Sequence, residues 1–482
     1  MRVAARKCKD FPAPFEYGGM DTNAKSSDVI EAKLGLWDAV SIIVGIIIGV
    51  GIFETPPHVF KRIQEPWVIL TLWTLCGLVS LIGALCFAEL ASAYPRSGGE
   101  YVYLTRAFGP LAGFLFAWAQ LTVIRSGSIA IVAYIFGYHA AALLDLDNTG
   151  VFVLAGMSVI VLTMINLLGV TLGTRTQNIL TLAKVLGLAA IVVVGFGWGR
   201  GEIDATSGIS PSAGALAGAM MIILWTYAGW HEAAYIVSEA RNRTRNIPLA
   251  LILGTLVVTT IYLLVNLAYL IGLDSAELND PQGRCAALLV NRFWPGYGSR
   301  VIDTLIVVSS LGAMNGSIFT TARIYSEFGT DHRLFSALSY WSKRWKTPIR
   351  ALVAQGFICL ALIAGVWTIK GDRDSFEAAV SLTAAVFWFF FFLTGCALIR
   401  LRLIDPDTPR PFRVPGYPLL PILFCASCAY MIAGTILFDA LKSLIGMLIL
   451  LVGLPFYFIP KKLSERHAEK ELQPVSKSDF DP

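Results

Sequence analysis

Apolar residues fall in runs of about 20, the thickness of a hydrocarbon core, and these runs recur from Leu34 almost to Pro460. The breaker residues between them divide the chain into twelve predicted helical spans, at 34–57, 67–93, 108–142, 150–169, 177–199, 213–239, 248–272, 299–328, 349–368, 376–401, 417–438 and 440–460. The segments outside, 1–33 and 461–482, are mixed in charge and poor in large apolar residues, so they read as mobile tails that hold no site. The first run is a full span, too long for a cleavable signal, so it inserts and stays. The pattern predicts an all-α polytopic membrane protein embedded in a lipid bilayer.

Composition agrees with that picture: 56% of the 482 residues are hydrophobic and 15% are charged, against about 25% charged in a soluble domain. With the N-terminus in the cytoplasm, 26 lysines and arginines lie on the cytoplasmic side and 9 on the other. The bias places both tails in the cytoplasm of a cell whose inner or plasma membrane the chain crosses. The net charge of +5 therefore reflects topology, and no basic stripe interleaved with aromatics suggests nucleic acid. The eight cysteines are scattered, and Cys425 and Cys428 form a CxxC inside an apolar helix without further Cys or His nearby, so neither metal nor cofactor is expected.

Two spans are interrupted by small residues near their middles: the first at Gly49, Val50 and Gly51, the sixth at Tyr227, Ala228 and Gly229. They are five spans apart. Because five is odd, a second five-helix unit repeating the first lies upside down in the membrane, and matched breaks in inverted repeats point to a substrate site. Glycine clusters also serve close helix packing, which is the structural alternative for either break alone.

An unwound segment leaves backbone N–H and C=O groups without helical partners, at a cost of several kcal/mol each in hydrocarbon. The second half of span one begins near Gly51, so its free amides and positive dipole end suit a carboxylate. The first half of span six ends near Trp225 and Thr226, so its free carbonyls suit an ammonium group. A solute carrying both on one carbon is an α-amino acid. Gly49 and Gly51 would let it approach the backbone, and a side chain at 51 is expected to fill the carboxylate position.

The run SIIVGIIIGVGIF, Ser41 to Phe53, resembles the first helix of the amino acid, polyamine and organocation transporter superfamily. FAELASAYPRSGGEYVYLTRAFG (87–109), WTYAGWHEAAYIVSEARNRTRNIP (225–248), SLGAMNGSIFTTAR (310–323) and DPDTPRPFRVPGYP (405–418) extend the match over nearly the whole membrane part. The nearest branch is the L-type amino acid transporters and their bacterial relatives. The resemblance implies the leucine-transporter fold: twelve helices, with a five-plus-five inverted-repeat core at 34–402, broken helices 1 and 6, and helices 11 and 12 at 403–460.

Carried over position by position, it implies that the amides of Val50 and Gly51 bind the carboxylate and that the carbonyls of Ile47, Trp225 and Ala228 receive the amino group. Trp225 takes the place of an aromatic gate. Ala228, beside Gly229, stands where the family often has glycine and should trim the pocket. Lys184, a charge inside span five, would cost at least roughly 2.5 to 3.5 kcal/mol unless it faces the interior or snorkels. In the family the matching lysine replaces a sodium ion near spans one and eight, which implies sodium independence; it could also carry a coupling proton.

Other polar residues inside spans leave alternatives open. Arg125 is expected to bond carbonyls or a carboxylate in the bundle. Glu232 could gate, relay protons or favour a cationic solute, Tyr227 could join a gate or polar network, and Asn315 and Ser317 could lie near Lys184. Glu89 is expected to pair with Arg96 or Arg106.

The leading reading is an amino acid permease, an exchanger or proton symporter, with no enzymatic site. A polyamine or organic-cation carrier and a membrane nutrient sensor are the alternatives. Animal L-type members join a glycoprotein through a disulfide from the loop after span three; here that loop, 141–150, has no cysteine, so no disulfide-linked heavy chain is expected, and the oligomeric state is left open.

Overall fold

A computed structural model describes residues 34–199, 211–280, 283–368, 374–438 and 440–471, and among them the secondary structure is helical apart from an isolated bridge between Leu34 and Ala240. The N-terminal tail and residues 472–482 of the C-terminal tail lie outside the described residues.

Span one is two helices, α1 (Leu36–Ile47) and α2 (Gly51–Arg62), bent by 43° across the unwound residues between them. Then follow α3 (Pro66–Ala93), the short α4 (Glu100–Phe108), α5 (Pro110–Leu143), α6 (Asn148–Leu167) and α7 (Val170–Trp198). Pro66 starts α3, where its missing N–H costs nothing. Asp147 caps α6 by accepting from the Gly150 amide at 3.0 Å. The spans after the break at 200–210 are α8 (Ala213–Thr226), which passes through a turn into a 3-10 helix (Trp230–Glu239), then α9 (Arg243–Gly272) and α10 (Gly298–Asp331). The last four are α11 (Ile349–Thr368), α12 (Asp374–Ile404), α13 (Leu419–Phe438) and α14 (Ala440–Glu471).

Ten described helices are long and apolar enough to cross a membrane, the bent α1–α2 pair makes an eleventh, and Ile349–Gly365 of α11 is a shorter apolar helix. The expected twelve spans require counting that shorter helix. Span five starts at Val170, seven residues before the expected 177, so Lys184 sits at mid-helix. The last helix runs to Glu471, past the expected end at 460.

The helix α1 is enclosed: it packs against α7, α9, α10 and the 3-10 helix, and residues Ile42 to Ile47 are all buried. A helix apolar on every side belongs in the middle of a bundle. On the outside, Met157, Ile160 and Met164 of α6 and Leu441, Leu448 and Leu451 of α14 stay exposed, an apolar surface that suits lipid. The first half of span one lies against the second half of span six, while α2 lies against α8. The two broken spans therefore run in opposite directions with their breaks side by side, as an inverted repeat requires.

Glu89 does not take the expected partners. It accepts from Arg402 at 2.7 and 2.5 Å and from the Val414 amide at 2.6 Å. Arg96 instead meets Glu327 and Asp331, and Arg106 meets Asp405. Glu89 is buried against the segment after α12, where a guanidinium can present two parallel donors to a carboxylate.

Candidate functional site

A cavity of about 80 Å³ lies where the two breaks meet. Of the residues singled out from sequence, Ile47, Gly49, Val50, Gly51, Trp225, Ala228, Arg125 and Ser317 line it. Thr226 of α8, expected beside Trp225 at the end of the first half of span six, lines it as well, and the rest of the wall includes residues that sequence reading passed over, among them Ser128 of α5 and Met314 of α10.

The helical ladder of α2 starts with the Phe53 and Glu54 amides, which donate to the Val50 carbonyl at 3.0 and 3.2 Å. The amides of Gly51 and Ile52 therefore stand ahead of the ladder, in the first turn of a helix whose dipole favours an anion. Across the cavity α8 ends at Thr226. Gly229 follows at φ 120°, a left-handed backbone, and a Cβ there would come within 2.7 Å of Ile46; glycine is required both for the turn and for the approach of α1.

The carbonyls at the two breaks already have partners. Trp225 O accepts from the Ala228 amide at 3.0 Å and from the Tyr227 amide at the helix cap. Ile47 O already accepts from the Gly49 amide at 2.7 Å and from the Tyr262 hydroxyl at 2.8 Å. The same hydroxyl lies 3.3 Å from Thr226 O, so Tyr262 of α9 bridges the broken ends of spans one and six. Both lone pairs of Ile47 O are thus engaged. Sequence reading missed Tyr262 because a tyrosine in an apolar span does not disclose its partner.

Gly51 also differs from expectation. A Cβ built on it points at Thr226, 2.9 Å from Cγ2, rather than into the carboxylate position. Thr226 in turn is hydrogen-bonded to Thr55 at 2.6 Å, so the missing side chain lets α2 and α8 close on each other. A Cβ on Gly49 would meet only Ala313, at an ordinary 3.5 Å.

Lys184 lies outside the cavity lining, behind α1. Its Nζ donates to Gly45 O at 2.5 Å and to Ile48 O at 2.8 Å, carbonyls that the bend of span one frees. A Cβ on Gly312 of α10 would fall 2.5 Å from Lys184 Cε, so the lysine fills the space between spans one, five and eight. Asn315 is not its partner: it is bonded to Asn166, Gly173 and Gln177. Tyr227 is buried with its hydroxyl on the Trp73 carbonyl at 3.2 Å, away from the cavity.

Arg125 comes directly after a π turn, Gln120–Ile124, in α5; such a turn inserts an extra residue into the ladder and re-aims the side chains beyond it. Its guanidinium meets Glu232 at 2.6 Å and donates to His231 Nε2 at 2.8 Å. Glu232 also accepts from Thr320 at 2.5 Å, so its carboxylate is turned away from the cavity.

On the side of the α3–α4 loop the bundle is latched shut. The Leu34 amide donates to Glu239 O at 3.0 Å, the Arg241 amide donates to Leu34 O at 2.8 Å, and Arg323 holds the Glu239 carboxylate at 2.6 and 3.1 Å. Ser97 and Ser238 hydroxyls add a contact at 2.5 Å.

Residues 34–454 match the amino acid permease family. The chain is 33% identical to the b(0,+)-type amino acid transporter 1 of Mus musculus, over 93% of this chain and 92% of that protein. It is 31% identical to the cystine/glutamate transporter of Homo sapiens, over 89% of this chain and 85% of that one. A third relative, large neutral amino acids transporter small subunit 2 of Mus musculus, is 29% identical over 89% and 81%. With a fold of membrane-spanning helices, a cavity between two broken spans and this match along most of its length, the chain is a multi-pass membrane protein that belongs to the amino acid permease family.

Proposed function

We propose that the protein is a sodium-independent secondary transporter that carries α-amino acids across the cell membrane by alternating access, as an exchanger or a proton symporter. One observation supports this above all: the first amides of α2 and the last carbonyls of α8 converge on one cavity. Opposite partial charges a few ångströms apart fit the two heads of a zwitterion. In this reading the Gly51 and Ile52 amides, with Val50, take the carboxylate; Trp225 and Ala228 carbonyls take the ammonium, joined by Ile47 when Tyr262 releases it.

Lys184 supports sodium independence, because its ammonium group already serves the Gly45 and Ile48 carbonyls that a cation would otherwise coordinate. The names of the relatives mention cystine, glutamate and large neutral amino acids, so they do not fix the side chain this chain prefers. An organic-cation carrier would need a free carboxylate as anchor, and Glu232 is engaged by Arg125 and Thr320. The basic residues favour cytoplasmic tails. The α5–α6 connection, 144–147, has no cysteine, which favours function without a disulfide-linked heavy chain.

The test is uptake and counterflow of a panel of labelled amino acids in liposomes, at two proton gradients and with sodium replaced by choline. Counterflow that persists in choline is expected; absence of counterflow for every amino acid, or a steep sodium dependence, contradicts the reading.

A further inference from the structure

The walls of the cavity continue toward the end of the bundle opposite the α3–α4 loop. On α5 the lining residues Arg125, Ser128, Ile129 and Val132 form one helical stripe, and two turns beyond Val132 the same stripe carries His139. On α10 the lining residues Ala313, Met314 and Ser317 lead back, at helical spacing through Ser310 and Ile306, to Asp303. On α2, Glu54 stands one turn past Gly51, which lines the cavity.

The three stripes meet at those side chains. His139 Nδ1 lies 2.7 Å from Oδ1 of Asp303, and its Nε2 lies 3.6 Å from Oε1 of Glu54. The imidazole is nearly buried, at 10% of its side chain, while Asp303 at 22% and Glu54 at 39% reach solvent. The cluster therefore sits at a mouth between the cavity and outside water. The His139–Asp303 contact lies within the wall that α5 and α10 form together. The His139–Glu54 contact crosses the mouth to the broken span, whose outer half is tied to α8 by the Thr55–Thr226 bond.

The charged groups that face His139 are thus Glu54 from α2 and Asp303 from α10, with the Tyr138 ring beside it on α5. Over the last turns of α5, α6 packs through Val151 and Ala155, and α11 through the Ile363 carbonyl, which accepts from Tyr134; α12 approaches at Gly127, more than three turns away. Arg300, one turn ahead of Asp303, is exposed, and His58 follows Glu54 by one turn on α2. An imidazole protonated on both nitrogens donates to two carboxylates at once, whereas a neutral one has a single N–H. Asp303, the nearer acceptor, holds that proton on Nδ1, so a neutral ring turns the Nε2 lone pair toward Glu54 and two acceptors face each other.

We propose that Glu54, His139 and Asp303 form the outer gate of the transport path, a latch that a proton on His139 closes and its loss opens. The inference rests on the transport reading above and adds an access step to it. Closing forms one N–H bond at Nε2 with a proton taken from hydronium in the outside water, and opening returns that proton to water. Histidine changes charge between about pH 5 and pH 8, so the latch makes entry slower on the acid side of that range.

The experiment is counterflow by the full chain in liposomes, with labelled L-leucine, L-lysine and L-glutamate tested separately. The pH is the same on both faces, about 5.5 or about 8, so no proton gradient drives the solute. Wild type should exchange at least one solute about three- to tenfold faster at the higher pH. His139→Gln, which takes up no proton in this range, should exchange it at one rate at both. Equal rates or the reverse order in wild type, or a pH dependence kept by His139→Gln, overturns the latch and leaves transport standing. No counterflow of any solute at either pH overturns the transport reading, and the latch with it. Should His139→Gln fail to fold, Glu54→Gln decides by the same readout: a flat profile supports the latch and a retained pH dependence overturns it.

Discussion

The Lys184 ammonium donates to the carbonyl of Ile48, 2.8 Å away, in the segment where span one unwinds. A bend in a membrane helix must satisfy the backbone groups it releases, and here a side chain from span five does so in place of an ion. Lys184→Met keeps the length and removes the donors. Since each buried acceptor left unpaired costs about 1–3 kcal/mol, this variant is expected to lower thermal stability in detergent and to impair counterflow. Unchanged melting and transport would remove Lys184 from the account.

The two glycines of the first break should respond differently to a methyl group. Gly51→Ala meets Thr226 at 2.9 Å, while Gly49→Ala meets Ala313 at 3.5 Å. Overpacking of the first kind costs typically about 1–3 kcal/mol. Gly51→Ala is thus expected to destabilise the protein and loosen α2 from α8, and Gly49→Ala to fold as wild type. Melting curves of the pair check this; equal stability would contradict it.

Removing one side of a buried ion pair leaves the other uncompensated, at roughly 3–5 kcal/mol. Glu89, held by Arg402 and the Val414 amide, is such a case. Arg96 is more exposed at 41% of its side chain, where pairs contribute about 0–1 kcal/mol. Glu89→Ala should therefore unfold at clearly lower temperature than Arg96→Ala, by thermal denaturation in the same detergent.

Glu100 gives the stability a pH dependence. With its carboxyl raised to about 8 by burial, the folded state holds a proton that the unfolded chain releases in the ordinary carboxylate range. Stability from this group is complete below that range and is lost as pH rises through about 8. Tm should fall from about pH 5 to about pH 9, and Glu100→Gln should flatten that part of the curve. An identical slope in the variant would assign the dependence elsewhere.

Much of this was legible in the sequence because the membrane makes some residues conspicuous. Small residues interrupt two long apolar runs at Gly49–Gly51 and Tyr227–Gly229, and both places are unwound. Lys184 stands out as a charge in a span. What could not be read depends on how the chain turns after unwinding. The direction of a Cβ at Gly51 follows from the bend, and so does the capture of Ile47 O by Tyr262. Arg125 and Glu232 are far apart in the sequence, and their meeting depends on a π turn that no residue pattern announces. The partner of Glu89 is equally hidden: Arg96 and Arg106 are near it in sequence, while Arg402, which holds it, is brought beside it only by the fold.

If opposed helix ends bind both heads of a zwitterion, competition against counterflow reveals it, using the preferred labelled amino acid and, as competitors, the same amino acid, its methyl ester and the amine lacking the carboxyl group. Inhibition by the parent amino acid and little by the other two is expected, since each of those deprives the α2 amides of their anion. Equal inhibition by all three would contradict it.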